Sequence, residues 1–454
     1  MNKLGRYASA LSIAWIGGAV IAAHATLTPQ VQRGEKIIEI PVAGRRAEIC
    51  IIPKHFQDAD YSKKDLKTEE ELCALQVGKN AAVCPKINST NPGLNIYDVP
   101  EGSTAQTVEA ANCKVNGAHK IAKYKLSTSC SYSPSLLGYY HVSRILGGVG
   151  GVPPAVLRTY DVQNQLALGR KAQSMVKAGS LIAQTWAGLT SKLAAGARGS
   201  KRDLLLTDDF TQSYGALIDN PRGEAGYREF FNGGANSVSR AQAFRDKSAV
   251  MGLLSRTADV STFVGRELNP ANLQRMMQMK DASEMIILDI ILNQQDRFGN
   301  IHSEDRYYYY DSKDPHADGT PNLASERKLK PDEIAQLGAI KIKKIVLKDN
   351  DCGVAKDNVA KKAGLNTRIA HMDLETYQRL LRLNATADDP AVAKFFTQGL
   401  MFTAADFASV RRNLSELVTL LHDKCERGQL KLDLDLDVHF SGRPLTKASC
   451  GPKA

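Results

Sequence analysis

Glu284-Met-Ile-Ile-Leu-Asp-Ile-Ile-Leu-Asn-Gln-Gln-Asp-Arg-Phe-Gly-Asn300 joins an apolar run directly to a polar cluster. Seven of the eight residues from Met285 to Leu292 are large and apolar, Asp289 being the exception. A run of that kind reads as a buried element, so it delivers the polar residues after it into the interior or a cleft. Past Asn300 the chain runs through Asp305-Arg-Tyr-Tyr-Tyr-Tyr-Asp311 and a polar excursion to Ala339-Ile-Lys-Ile-Lys-Lys-Ile-Val-Leu347, which leads into Asp349-Asn-Asp-Cys-Gly353. Acids therefore stand just outside a buried helix and just outside a later strand.

The surroundings can support such a site. A chain of 454 residues buries a substantial core, and 43% hydrophobic with 24% charged residues is an ordinary globular composition that excludes wholesale disorder. The net charge of +11 favours acidic partners. The basic residues are dispersed, however, and no nucleic-acid motif is present, so no nucleic-acid partner is expected.

Lys3 and Arg6 precede the apolar stretch from Ala8 to Ala23, and Ala23-His24-Ala25 fits the small-x-small cleavage pattern of a secretory signal peptide. Residues 1–25 are read as that peptide, the mature chain starting near Thr26, in the periplasm or secreted. The stretch is short for a span and holds two glycines and two serines, so no stable membrane span is expected in the mature chain. Export makes a disulfide set of Cys50, Cys73, Cys84, Cys113, Cys130, Cys352, Cys425 and Cys450. With five before residue 131 and three after 351, at least one bridge crosses the halves or one thiol is free. Cys352 is expected to pair with Cys425 or Cys450. No Cys/His spacing suits zinc.

Alternation and turn residues predict a hairpin over Glu35–Pro53 and strands at Leu94–Val99, Thr107–Lys114 and Lys120–Leu126, with a loop-rich, disulfide-tied insertion at 54–92. A helix over Ser135–Leu146 ends at Gly147-Gly-Val-Gly-Gly151, and Val152-Pro-Pro-Ala-Val-Leu-Arg-Thr159 is extended because each proline restricts its predecessor. Residues 162–201 read as helical, with strands at Leu204–Phe210 and Ser213–Ile218. Beyond Ser237 helices predominate, at Pro270–Gln295, Leu374–Leu383 and Ala404–His422, and Leu430–Phe440 alternates as a half-buried strand would. The expected organisation is a β-rich N-terminal lobe with insertions over 26–220 and a helical lobe over 221–454.

The residues also carry a resemblance. Asn293-Gln-Gln-Asp-Arg-Phe-Gly-Asn300 resembles the NxDRxxxN-type catalytic loop of atypical protein-kinase-like enzymes: the phosphoinositide 3/4-kinase group, the HipA-like kinases and the secretory-pathway kinases related to Golgi casein kinase. Asp349-Asn-Asp-Cys-Gly353 is similar to the Asp-Asn-Gly element of that last family, and Tyr140-His-Val-Ser-Arg-Ile-Leu146 with Gly151-Val-Pro-Pro-Ala-Val-Leu-Arg158 is similar to its helix and Val-Pro-Pro strand. The resemblance implies an α+β, bilobal protein-kinase-like fold and transfer of the γ-phosphate of ATP to a hydroxyl of a protein or glycan acceptor. It implies Asp296 as the carboxylate that orients the nucleophile, Arg297 as support for the loop, and Asn300 and Asp349 as holders of Mg or Mn, with Asp351 as a further metal ligand or a turn acid. Hard cations suit such oxygen donors. Lys123 or Lys125 would hold the nucleotide phosphates; Ile121, two before Lys123 on the same face, favours Lys123.

Three positions depart from that pattern. Asn300 follows Asp296 by four residues where the HipA and lipid kinases have five. No acid lies between Lys125 and Asp161 to pair with the lysine, Leu136 standing at its place, and the nearest substitute for a glycine-rich phosphate loop is Glu101-Gly-Ser-Thr104. A catalytically inactive pseudokinase that binds nucleotide or protein is the alternative these departures leave open.

Overall fold

A computed structural model describes residues 34–196, 205–221, 223–443 and 450–451. The expected signal peptide lies outside the described residues. Within them no helix is long and apolar enough to cross a membrane.

The N-terminal part is built on one antiparallel sheet. Its elements are β1 (Gly34–Ile40), β2 (Glu48–Pro53), α1 (Lys63–Cys73), β3 (Ala81–Pro85), β4 (Gly93–Asp98), α2 (Ala105–Ala110), β5 (Lys120–Leu126), α3 (Ser133–Ile145), β6 (Ala155–Asp161), α4 (Val162–Met175), α5 (Leu181–Ala194) and β7 (Gln212–Asp219). The seven strands run in the order β1-β2-β6-β7-β5-β4-β3. Alternation assigns the two faces. On β5, Ala122, Tyr124 and Leu126 join an outer core with Leu166, Trp186 and Leu189 of α4 and α5. The opposite face of β6 and β7 packs through Leu157, Ala216 and Ile218 against α3 and the helical part.

Helices dominate the C-terminal part, whose elements are β8 (Ala225–Gly226), α6 (Ser237–Lys247), α7 (Ala249–Leu254), α8 (Pro270–Ile291), β9 (His302–Asp311), β10 (Asn322–Glu326), α9 (Pro331–Leu337), β11 (Ile340–Val346), α10 (Val359–Lys362), α11 (Leu374–Ala385), α12 (Pro390–Lys394), α13 (Ala404–Glu426) and α14 (Leu436–Phe440). Its four strands form a second antiparallel sheet. The molecule is thus α+β, with an antiparallel sheet in its N-terminal part and helices in its C-terminal part. In α8 every residue from Asp281 to Ile291 is buried.

Several local expectations fail for identifiable reasons. The 54–92 segment holds α1, capped by Ser62 and Asp65, and the strand β3. Thr107–Lys114 is not a strand, because Thr104 accepts from the amide of Thr107 and closes a capping box on α2. Leu204–Phe210 forms only a bridge at Leu206, among its described residues. Leu430–Phe440 fails because its acids are otherwise engaged: Asp433 accepts from the amide of the distant Val260 and pairs with His371, and Asp435 caps α14.

The disulfides are Cys50–Cys73, Cys84–Cys113, Cys130–Cys352 and Cys425–Cys450. Cys352 therefore pairs with Cys130, not with Cys425 or Cys450, since the chain after β11 returns beside the β5–α3 connection. This bridge spans 222 residues and ties the two parts together. Replacing Cys130 and Cys352 together with Ala is expected to lower the unfolding free energy by ~2–5 kcal/mol, as loss of long-loop closure does. Urea unfolding measures it; a midpoint unchanged from wild type would contradict the tie.

Candidate functional site

The loop after α8 is set by its first residue. Asn293 adopts φ 49°, a left-handed conformation that ends the helix four residues short of the expected Gln295. Its side chain explains how that is held: Oδ1 accepts from Asn358 and Asn413 at 2.9 and 2.8 Å, and Nδ2 donates to Ser409 at 2.9 Å. Farther on, the Gln295 amide donates to the carbonyl of Cys352 at 3.2 Å, joining this loop to the acidic one. At Gly353 a Cβ would lie 2.4 Å from Ser135 Oγ, so only glycine lets the acidic loop approach α3.

Arg297 is buried and does not reach the cleft. Its Nε and Nη2 donate to Asp289 at 2.9 Å each, Nη2 also donates to Asn350 Oδ1 at 2.6 Å, and Tyr139 donates to the same Asp289 at 2.7 Å. The guanidinium thus links α8, the loop after it, the acidic loop and α3.

The other residues singled out in the sequence meet at one cleft of about 640 Å3: Asp296, Asn300, Asp349, Asp351, Lys123 and Lys125 all line it. Lys125 Nζ lies 2.9 Å from Asp351 Oδ2, both buried, and Lys123 Nζ lies 3.9 Å from Asp349 Oδ1. Asp351 thereby serves as the partner that α3 does not supply; Leu136 of that helix is buried in the apolar core. Asn300 Nδ2 donates to the Asp296 carbonyl at 3.4 Å.

The grounds for favouring Lys123 change. The register between β4 and β5 shifts between Ile96 and Tyr97, so Ile121 turns to the outer core and Lys120 lines the cleft instead. Both Lys123 and Lys125 remain on the cleft side. Glu101-Gly-Ser-Thr104 is absent from the lining, its Thr104 being the cap of α2; the β3–β4 connection, residues 86–92, overhangs the cleft instead.

That connection brings in Lys86, and the same cleft gathers Lys120, Lys348 and His302, none of which stood out in the sequence. Lys348 pairs with Glu224, and the His302 Nδ1 donates to the Asn300 carbonyl at 3.2 Å. Lys86 is a lone lysine in a polar segment, so only the pairing of β3 with β4 and of β4 with β5 reveals its neighbours. Ser237, at the start of α6, donates from Oγ to Asp296 Oδ1 at 3.0 Å.

Protonation follows from these contacts. Burial alone would raise Asp349, but Lys123, Lys86 and Lys125 outweigh it and hold the carboxyl well below the usual range. Burial likewise opposes ionisation of Asp351, and Lys125 overcomes it. Asp296 is raised, first by burial and then by Asp351, against the Ser237 hydrogen bond. Burial, aided by Lys125, brings Lys86 down to about 7.

Ionised Asp349 and Asp351 with the Asn300 amide are oxygen donors of the kind a hard cation takes. Among the described residues no group of three or more His, Cys, Asp or Glu side chains forms a ready cage. The two carboxylates of Asp349 and Asp351 match the donor number of magnesium or manganese, which use one or two carboxylates and complete their shell with water and substrate phosphates.

No protein-family model and no curated protein matches this chain. Among solved structures it is similar to the crystal structure of the Golgi casein kinase with Mn/ADP bound, at 12% identity and a TM-score of 0.40, over 79% of this chain and 76% of that one.

An anion entering the cleft should take up a proton on Lys86. The bound anion favours the ammonium form, so uptake appears above pH 7, where free Lys86 is mostly neutral, and fades below it. Calorimetry of sulfate binding in buffers of different ionisation enthalpy should show uptake at about pH 8 that shrinks by about pH 6 and is smaller in Lys86→Met, where Lys348, also brought down to about 7, still takes up a proton. Equal proton exchange in the variant would contradict it.

Proposed function

We propose that this chain is an exported phosphotransferase that moves the γ-phosphate of ATP to a hydroxyl of a protein or glycan acceptor, with a divalent metal. The observation that carries the reading is the meeting of Asp296, Asp349 and Asp351 with Lys123 and Lys125 on one cleft. Phosphoryl transfer needs positioning and charge neutralisation more than covalent chemistry, and this cleft offers cations for phosphates together with one carboxylate set apart from them.

Asp349, Asp351 and Asn300 would hold Mg or Mn, which when bound neutralises charge on the phosphates. Lys123 and Lys125 bind phosphate oxygens; the second is fixed in place by Asp351. Asp296 accepts the hydrogen bond of the acceptor hydroxyl, and its raised pKa makes it the better proton acceptor of the three acids. Arg297 positions Asp296 through the backbone and touches no substrate. Four disulfides suit an oxidising, extracytoplasmic compartment.

A second reading, a nucleotide-binding module without transfer, is favoured by Asn300, whose amide is directed to the Asp296 carbonyl. Asp296→Asn separates the two. Metal-dependent ATP turnover is expected to fall by ~10²–10⁴-fold while nucleotide affinity stays within about threefold, a ground-state change under 1 kcal/mol. Turnover unchanged in the variant would remove Asp296 from catalysis, and wild-type binding without turnover would establish the second reading.

A further inference from the structure

The hydrogen bond from Ser237 to Asp296 has the form that the proposed reaction requires of an acceptor. A hydroxyl donates to the carboxylate that would take its proton, at 3.0 Å, and does so within the chain itself. The neighbouring polar groups have other work. Asn236 caps α6 by accepting from the Ser239 amide, and the Ser239 hydroxyl closes the capping box by accepting from the Asn236 amide. Capping uses Asn236 and Ser239 and leaves the Ser237 hydroxyl directed away from the helix at Asp296.

We propose that Ser237 is an internal phosphoacceptor, modified in cis by the same cleft; this rests on the phosphotransferase reading above. In that step the Ser237 Oγ forms a bond to the γ-phosphorus of a nucleoside triphosphate, and the bond from that phosphorus to the β–γ bridging oxygen breaks. The hydroxyl proton passes to Asp296 and the nucleoside diphosphate leaves with the bond's electron pair. No further reactant is needed.

The product has a favourable setting. Phosphoserine would lie in the first turn of α6, where free backbone amides and the helix dipole stabilise an anion. Arg240 stands one turn on, tethered to the carbonyls of Gly234 at 3.1 Å and Phe298 at 3.3 Å. The new phosphate would also face the Asp296 carboxylate and occupy the position of an external acceptor, so the modification limits further transfer.

The test is peptide mass mapping of the full chain after incubation with ATP and Mn or Mg, alongside ATP consumption. One phosphate is expected on Ser237, accumulating with a rate constant independent of protein concentration. It should be absent from Ser237→Ala and Asp296→Asn and retained on the hydroxyl of Ser237→Thr. If ATP is consumed in an Asp296-dependent way while Ser237 stays unmodified, this inference fails and the phosphotransferase reading stands. A rate constant that rises with protein concentration would overturn modification in cis. Absence of any Asp296-dependent ATP consumption would overturn both.

Discussion

The buried pair between Arg297 and Asp289 is the constraint on which the rest of the site depends. Both side chains are about 1% exposed. Removing two charges from water costs several kcal/mol per ion unless their remaining hydrogen-bonding groups are satisfied. Here Tyr139 and Asn350 complete much of the arrangement, drawing α3 and the acidic loop to the end of α8. The residues flanking Arg297 and Asn350 are then fixed in space: Asp296 on one side, Asp349 and Asp351 on the other. The charge that interrupts the apolar run of α8 is what orders the polar loops at its end.

A second consequence is electrostatic. Five lysines and three acids line one cleft, and the acids are not equivalent. Asp349 and Asp351 sit against Lys123 and Lys125 and are held ionised. Asp296 lies nearer Ser237 and is raised. Environments that push neighbouring carboxylates apart in this way are how one site sets two acids to different tasks, as the proposed reaction requires. The Cys130–Cys352 bridge closes the cleft floor: Cys352 lines it, and the Asn91 amide of the overhanging connection lies 3.2 Å from Cys130 Sγ.

The centre of this arrangement was legible in the chain because its signals are strong and local. An apolar run broken by a single acid reads as buried, so α8 and the loop after it stood out, as did β5, β6, α3 and β11. Elsewhere a competing hydrogen-bond partner or strand register decided. Period-two alternation at Leu430–Phe440 yielded to Asp433 and Asp435, which bond to the amides of Val260 and Val438. The register shift at Ile96/Tyr97 reversed the faces of Lys120 and Ile121, which no pattern within β5 alone could reveal. Lys86, Ser237 and the partner of Cys352 became visible only once distant segments were side by side. Pairing of that kind follows from the whole fold.

The central claim is that these acids and lysines form one metal–phosphate site. A crystal structure of the chain with manganese and a non-hydrolysable ATP analogue tests it most directly. The expected result is a metal held by Asp349 with the phosphates, the phosphates against Lys123 or Lys125, and Asp296 beside the terminal phosphate. Nucleotide and metal bound away from this cleft would contradict the account.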